Sequence, residues 1–351
     1  MKTLRRIILV GFLLSVLVLP EARAQYFSYS EETDSLIARG MALVHNLHYD
    51  QAIRLFRKLI QLHPDHPIGY FYVAAVYDLI NQNYRITTFE DEYEREIDKA
   101  VNVGEHYISR HKEDAIAHFY LGGAYGFRGL HRVRKRQWLK VFADGYRGLR
   151  HLQISLKLRP DLYDAYYGLG LYHYWRSAMA GVLRYLPLIS DKRQQGINEL
   201  RLAIEKGRYV KIECSFALAA VYYNEARYDS ALAIYDSLYA RFPRDPSVIY
   251  MRARTLEKFG RWNEMLRLSR ELLRIIQEYP HQSIGYQIEC HYMIALALHN
   301  LHQDEEARRQ LETAMALRKR RNPKKELEGP LEDFKDIYKK VVKLYKRLNE
   351  Q

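Results

Sequence analysis

Apolar residues along this chain return in blocks of 34, each made of two helix-length stripes joined by a short polar turn. Within a block a small residue stands eighth and twentieth, a large one eleventh and twenty-fourth, and a proline near the end. The unit 33–66 carries Gly40, Leu43, Ala52, Phe56, Leu59 and Pro64. The unit 212–245 carries Leu218, Ala219, Tyr222, Ala231, Tyr235, Leu238 and Pro243. A weaker copy spans 246–279, with Ala253, Leu256, Gly260 at the turn, Met265 and Leu272, and another spans 288–321, with Ile294, Ala295, Leu298, Ala307, Leu311 and Ala314. Small residues let two antiparallel helices approach, large ones fill the space beside them, and proline stops the second helix. Such units bury their apolar faces only against neighbours. The pattern predicts an all-α solenoid of about seven helical hairpins.

Between residues 67 and 211 the period lengthens. Residues 63–77 match 111–125 and then 159–170 at shifts of 48, pairing Phe71 with Phe119, Tyr72 with Tyr120 and Tyr77 with Tyr125. Two extended units therefore lie within 67–160, and their extra residues fall before each second helix, at 81–95 and 129–143. As helix this length adds roughly 21 Å. It predicts long second helices, or short additional ones, projecting from one edge. The two insertions differ in charge. The first crowds Glu90, Asp91, Glu92, Glu94, Glu96 and Asp98 around Arg95, and the second holds Arg128, Arg132, Arg134, Lys135, Arg136, Lys140, Arg147 and Arg150 against Asp144. Two readings follow: solvated or mutually paired faces, or, for Arg132, Arg134 and Arg136, a contact patch for an anionic partner.

Two segments leave the repeat. Residues 175–189 are apolar apart from Arg176, Ser177 and Arg184, and read either as a plug folded into the groove or as a surface for a membrane or acyl chain. At the end, Leu331, Phe334, Tyr338, Val341, Tyr345 and Leu348 recur at three- and four-residue steps behind Pro330, which predicts a capping helix over 330–351.

The first residues change the picture of where such a solenoid works. Lys2, Arg5 and Arg6 precede an apolar run over 7–19, ended by Pro20 and followed by Ala22 and Ala24. This reads as an export signal, residues 1–24, cleaved between Ala24 and Gln25. The run is shorter than the roughly 18–20 residues that span a bilayer, and no later stretch is long and apolar enough. The repeat array then occupies 25–329, and the mature protein is expected to be periplasmic or secreted. Of the formal charge of +13, the signal carries +3 (Lys2, Arg5, Arg6 and Arg23 against Glu21), leaving +10. That balance favours anionic partners, and export disfavours nucleic acid. Cys214 and Cys290 both stand third in their units with one repeat between them. They are expected to be buried thiols too far apart to bridge.

Catalytic patterns are absent. Gly122, Gly123 and Gly126 sit inside a helical repeat rather than in a phosphate loop, and neither a helical His-Glu-x-x-His pair nor a Cys-x-x-Cys occurs. The pairs His45/His48 and His299/His302 have metal-compatible spacing but fall at helix ends far apart, so no metal or cofactor is expected. Tyrosine, by contrast, is abundant at 30 residues. Many stand on first helices, which line the concave face of a solenoid: Tyr72, Tyr120, Tyr167 and Tyr174 are the candidate contacts there, with Tyr72, Tyr120 and Gly168 marking one line.

The repeated residues resemble the tetratricopeptide repeat (TPR). The stretches 119–129 and 163–174 are similar to exported bacterial proteins of that family with no assigned activity. The resemblance implies a TPR-like α-solenoid acting as a non-enzymatic scaffold that binds a protein or peptide, here in the cell envelope. The alternative is a glycan- or lipid-binding envelope protein using the tyrosine-rich face and the basic insertion.

Overall fold

The computed structural model describes residues 29–179 and 190–350. The signal with its Ala24–Gln25 cut, and most of the apolar segment 175–189, lie outside the described residues. Fifteen α-helices and no named strand are described. They pair as hairpins α1 (Glu31–His45) with α2 (Tyr49–Leu62), α3 (Pro67–Tyr84) with α4 (Glu90–Arg110), and α5 (Ala115–Arg134) with α6 (Trp138–Leu158). Then come α7 (Ala165–Met179) with α8 (Arg193–Lys206), α9 (Lys211–Asn224) with α10 (Tyr228–Arg241), α11 (Pro246–Glu257) with α12 (Trp262–Glu278), and α13 (Ile284–Asn300) with α14 (Asp304–Leu317). The last, α15 (Phe334–Asn349), caps the stack. The expected all-α solenoid of seven hairpins and a cap is the observed fold.

Local chemistry explains the elements. Most first helices start on side-chain caps: Asp114 accepts from the Ala117 amide at 2.9 Å, and Asp245 accepts from Ser247 and Val248 at 2.9 and 3.0 Å ahead of Pro246. They end on a residue in the left-handed region, at Leu47, Arg85, Arg136, Ala226, Gly260 and His302, with φ between 52° and 65°. The next amide then bonds five residues back, as in His48 to Leu43 at 2.8 Å and Arg227 to Tyr222 at 2.8 Å. Only one of these six is glycine, so the turns carry no obvious sequence mark. Close crossing falls on glycine as expected: a Cβ at Gly40 would lie 2.2 Å from the Phe56 ring.

The extended units differ from expectation. Their extra residues lengthen both helices of each hairpin, giving 18 and 21 residues in α3 and α4 and 20 and 21 in α5 and α6, against 15 and 14 in α1 and α2. The capping helix also starts later than Pro330. Asp333 is its N-cap residue, and Glu332 instead meets Arg254 at 2.6 Å. Phe334, Ile337, Val341, Leu344 and Leu348 form its buried stripe.

The superhelix closes on itself. Where α3 ends, Ser247 donates to Asn83 at 2.6 Å, the Tyr84 ring stacks on Tyr279 at 3.6 Å, and the buried Arg85 guanidinium bonds the Glu289 carboxylate. A single β-bridge joins Ile86 to Glu326, flanked by Thr87 N–H to Lys325 C=O at 3.2 Å and Leu327 N–H to Arg85 C=O at 3.0 Å. Farther along, α1 reaches the start of α9 through His45 and Glu213, 3.3 Å apart, and Arg208 and Asp34, also 3.3 Å apart. The consequence is burial on every side of the central first helices: 12 of the 17 residues of α13 and 10 of the 12 of α11 are buried. The bore of the solenoid is filled by its own side chains.

Candidate interaction surfaces

The candidate tyrosines are packed off the surface by neighbouring hairpins. Tyr72 is 7% and Tyr120 1% exposed, and their hydroxyls share a hydrogen bond at 3.1 Å. The Phe56 ring stacks on Tyr72 at 4.7 Å. Tyr174 is fully buried, accepting from Asn224 at 2.7 Å and donating to Glu225 at 2.9 Å. Tyr167 is half-buried, and burial pushes its phenol pKa up. The expectation that Tyr72 and Tyr120 mark a line along an open concave face is therefore corrected: they weld neighbouring first helices together. Gly168, on the same line, presses against Leu152, whose Cδ1 a Cβ there would meet at 2.6 Å.

The basic insertion separates into paired and free residues. Arg128 holds the buried Asp144 with two bonds of 3.1 and 3.0 Å and reaches Asp98 at 3.0 Å. Arg132 shares the Asp144 Oδ2 with Arg128, and Arg134 reaches across to the buried Asp78 of α3. Lys135 bridges to Glu94 and to Glu90, 3.4 Å from the latter. The charges of the two insertions are thus largely satisfied within the third hairpin and between it and the second. Arg132 and Arg134 belong to that network, whereas Arg136, in the α5–α6 turn, is exposed and has no ion-pair partner among the described residues.

Glu90, Glu94 and His131 form the one group of potential metal ligands found among the described residues, with ligand atoms within 4.8 Å of one another. Sequence reading passed over it because Glu90 and Glu94 lie on α4 and His131 on α5. The Lys135 ammonium sits on both carboxylates, and burial lowers the His131 pKa while Glu94 hydrogen-bonds the ring. The cation at this cluster is the lysine. The closing seam is dry in the same sense. Between Arg85, Tyr286, Glu289 and Phe334 only about 10 Å³ is left, no more than one water occupies. Where α1 meets α9, burial pushes the Glu213 carboxyl up to about 7, with Asp164 adding, and holds His45 down at about 4 with help from Arg241. Cys214 and Cys290 are free and buried, as expected, and burial raises both thiols.

Two exposed features remain. The outer side of the first hairpin holds a cleft of about 400 Å³ between Glu32, Ser35, Leu36 and Arg39 of α1 and Lys58, Gln61 and Leu62 of α2. The other is the turn end of α5 and α6, where Trp138, Leu139, Phe142 and Tyr146 stand in solvent. The sequence signal for the second was an extra apolar stripe at four-residue steps, overshadowed by the arginines around it.

Residues 34–66 and 213–245 match the model of the tetratricopeptide repeat. Among curated proteins no sequence relative is found. A solved structure shares the fold, and others are similar in part. A chain of the APC/C hetero-tetramer Cut9–Hcn1 superposes with a TM-score of 0.56 at 13% identity, over 90% of this chain and 49% of that one. A thermophilic TPR protein of Thermus thermophilus is 19% identical over 64% of this chain and 98% of its own, with a TM-score of 0.42. The C-terminal part of a TPR repeat-containing protein of Cytophaga hutchinsonii is 17% identical over 82% and 97%, with a TM-score of 0.44. No helix among the described residues is long and apolar enough to cross a membrane.

Proposed function

This chain is a tetratricopeptide-repeat protein, and from that premise we propose that it is a non-catalytic scaffold of the cell envelope that binds a protein or peptide. Stacked hairpins of this class serve in general as protein-interaction scaffolds. The observation that carries the reading is the asymmetry of the two ends. The last hairpin is covered by the apolar stripe of α15, whereas among the described residues no helix covers the outer side of α1 and α2. The cleft there has the volume of a small ligand site or a few peptide side chains. Leu36 and Leu62 give it apolar ground, and Glu32, Arg39 and Lys58 give it both signs of charge. An envelope location is supported by the export-signal pattern of residues 1–24.

Affinity capture from envelope extract with residues 25–351, at low and high salt, tests the scaffold. The expected result is one stoichiometric protein that survives high salt and is lost on Leu62→Glu, a change at an exposed side chain that leaves the melting temperature in place. Unchanged capture by Leu62→Glu would remove the cleft from the account. Fractionation with N-terminal sequencing tests the location: the mature chain should begin at Gln25, and a cytoplasmic chain beginning at Met1 contradicts it.

A further inference from the structure

Ten large hydrophobic side chains are exposed among the described residues, and five of them fall together at the turn end of the third hairpin: Leu130, Trp138, Leu139, Phe142 and Tyr146. The helix they mostly belong to, α6, has three distinct sides. Asp144, Gly148, Leu152 and Ser155, at steps of three and four, are buried against the stack. Trp138, Phe142 and Tyr146, at steps of four, form a second stripe that is 48, 72 and 63% exposed, with Leu139 beside it at 88%. Lys140, Arg147 and Arg150 form the third side, and Arg136 stands in the turn just before.

Little negative charge offsets this basic side. The only carboxylate between residues 133 and 150 is Asp144, and it is buried and occupied by Arg128 and Arg132. Arg136, Lys140 and Arg150 have no ion-pair partner among the described residues, and Arg147 has one distant acid, Glu105 at 4.0 Å, besides the Tyr125 hydroxyl at 3.5 Å. Exposed aromatic and aliphatic side chains flanked by unpaired Lys and Arg, on a helix held rigid from its other side, match an element lying in a lipid–water interface. The apolar stripe enters at headgroup depth, and the guanidinium and ammonium groups meet phosphate oxygens.

We propose that the α5–α6 turn docks this protein on the surface of an anionic phospholipid bilayer, through Trp138, Leu139, Phe142 and Tyr146 with Arg136, Lys140, Arg147 and Arg150. A second copy fits poorly, because a symmetric contact sets this all-basic rim against itself. The proposal stands apart from the cleft on the first hairpin, at the other end of the stack's N-terminal half.

The test is co-sedimentation of residues 25–351 with vesicles of equal phosphatidylglycerol and phosphatidylcholine, beside vesicles of phosphatidylcholine alone. The expected result is binding to the anionic vesicles at least tenfold tighter than to the neutral ones and weakened by salt. Leu139→Ser with Phe142→Ser should lower it at least tenfold at an unchanged melting temperature. A second variant, Arg136→Gln with Lys140→Gln and Arg150→Gln, should lose about tenfold or more and most of the salt dependence. In a chain whose other tryptophans are replaced by phenylalanine, Trp138 emission should shift to the blue on anionic vesicles. Binding no better than to neutral vesicles, or unchanged in Leu139→Ser/Phe142→Ser, overturns the proposal. So does a concentration-dependent dimer, or a captured protein, that consumes this stripe in place of vesicles. Leu62→Glu should leave vesicle binding intact, which separates failure here from failure of the scaffold reading.

Discussion

Removing the Arg85 side chain should uncouple the two ends of the superhelix. Arg85 is buried, its guanidinium bonds Glu289, and it lies over the rings of Tyr286 and Tyr250 at 3.7 and 4.4 Å. Glu289 has one further partner, the Tyr250 hydroxyl at 2.8 Å. Arg85→Ala therefore leaves a buried carboxylate with one neutral hydrogen bond and empties the space between two tyrosine rings. Breaking a buried pair from one side costs about 3–5 kcal/mol, and lost cation–π contacts add to it. For a chain this long each kcal/mol moves the melting temperature by about 2–4 °C, so a fall near 10 °C is expected. Arg85→Met with Glu289→Gln removes both charges and should recover more than half of that loss, because no ion is then stranded. The assay is thermal and urea unfolding followed by circular dichroism, with limited trypsin digestion as a second reading. Arg85→Ala should broaden or split the transition as the N-terminal and C-terminal hairpins melt apart. A loss under about 1 kcal/mol with a single sharp transition would refute the idea that this pair holds the closure.

Three further outcomes follow from the same packing. Tyr72→Ala with Tyr120→Ala should lower stability by several kcal/mol, since each deletes a buried aromatic ring, while Tyr72→Phe with Tyr120→Phe, which removes both hydroxyls together, should stay within about 1 kcal/mol of the parent by thermal melting. Arg134→Ser should lower the melting temperature by leaving buried Asp78 with only the neutral Gln82 amide at 2.6 Å, whereas Arg136→Ser should leave it unchanged. The Glu213 carboxyl holds its proton up to about pH 7 in the folded state and releases it near 4.5 when unfolded, so its contribution to stability falls as pH rises through that window. Glu213→Gln, compared with parent by urea titration, should be neutral near pH 4 and more stable by about 1–2 kcal/mol at pH 8, the full effect of about 3 kcal/mol being reduced because part of the side chain reaches water.

The helices were legible because their signals are local. Alanine, glycine and proline at fixed offsets set the hairpins, and the stripe from Phe334 to Leu348 set the cap. Closure was not legible, because it joins residues such as Arg85 and Glu289 that are 204 apart and obey no periodicity. A hint was present: Glu289 is the sole acid of α13, a mostly apolar helix, where a buried carboxylate needs a partner. The tyrosines misled as well. On an open superhelix Tyr72 and Tyr120 would line a groove, whereas here they pack on each other and on the Phe56 and Phe71 rings. The insertions were read correctly in charge and imperfectly in shape. Arg132 and Arg134 find buried acids on neighbouring helices, which leaves Arg136, Lys140 and Arg150 beside the apolar stripe of α6.

Closure of the superhelix is the claim on which every surface assignment rests, and a disulfide across the seam tests it most directly. Thr87 and Lys325 face each other beside the bridge of Ile86 and Glu326, the Thr87 N–H donating to the Lys325 carbonyl at 3.2 Å, and Cys214 and Cys290 are buried out of reach. In the chain carrying Thr87→Cys and Lys325→Cys, mild oxidation should give a monomeric disulfide in nearly all molecules, seen as a mobility shift without reducing agent. Two thiols that stay free and take up maleimide after oxidation would show an open superhelix, with its tyrosine-lined bore exposed.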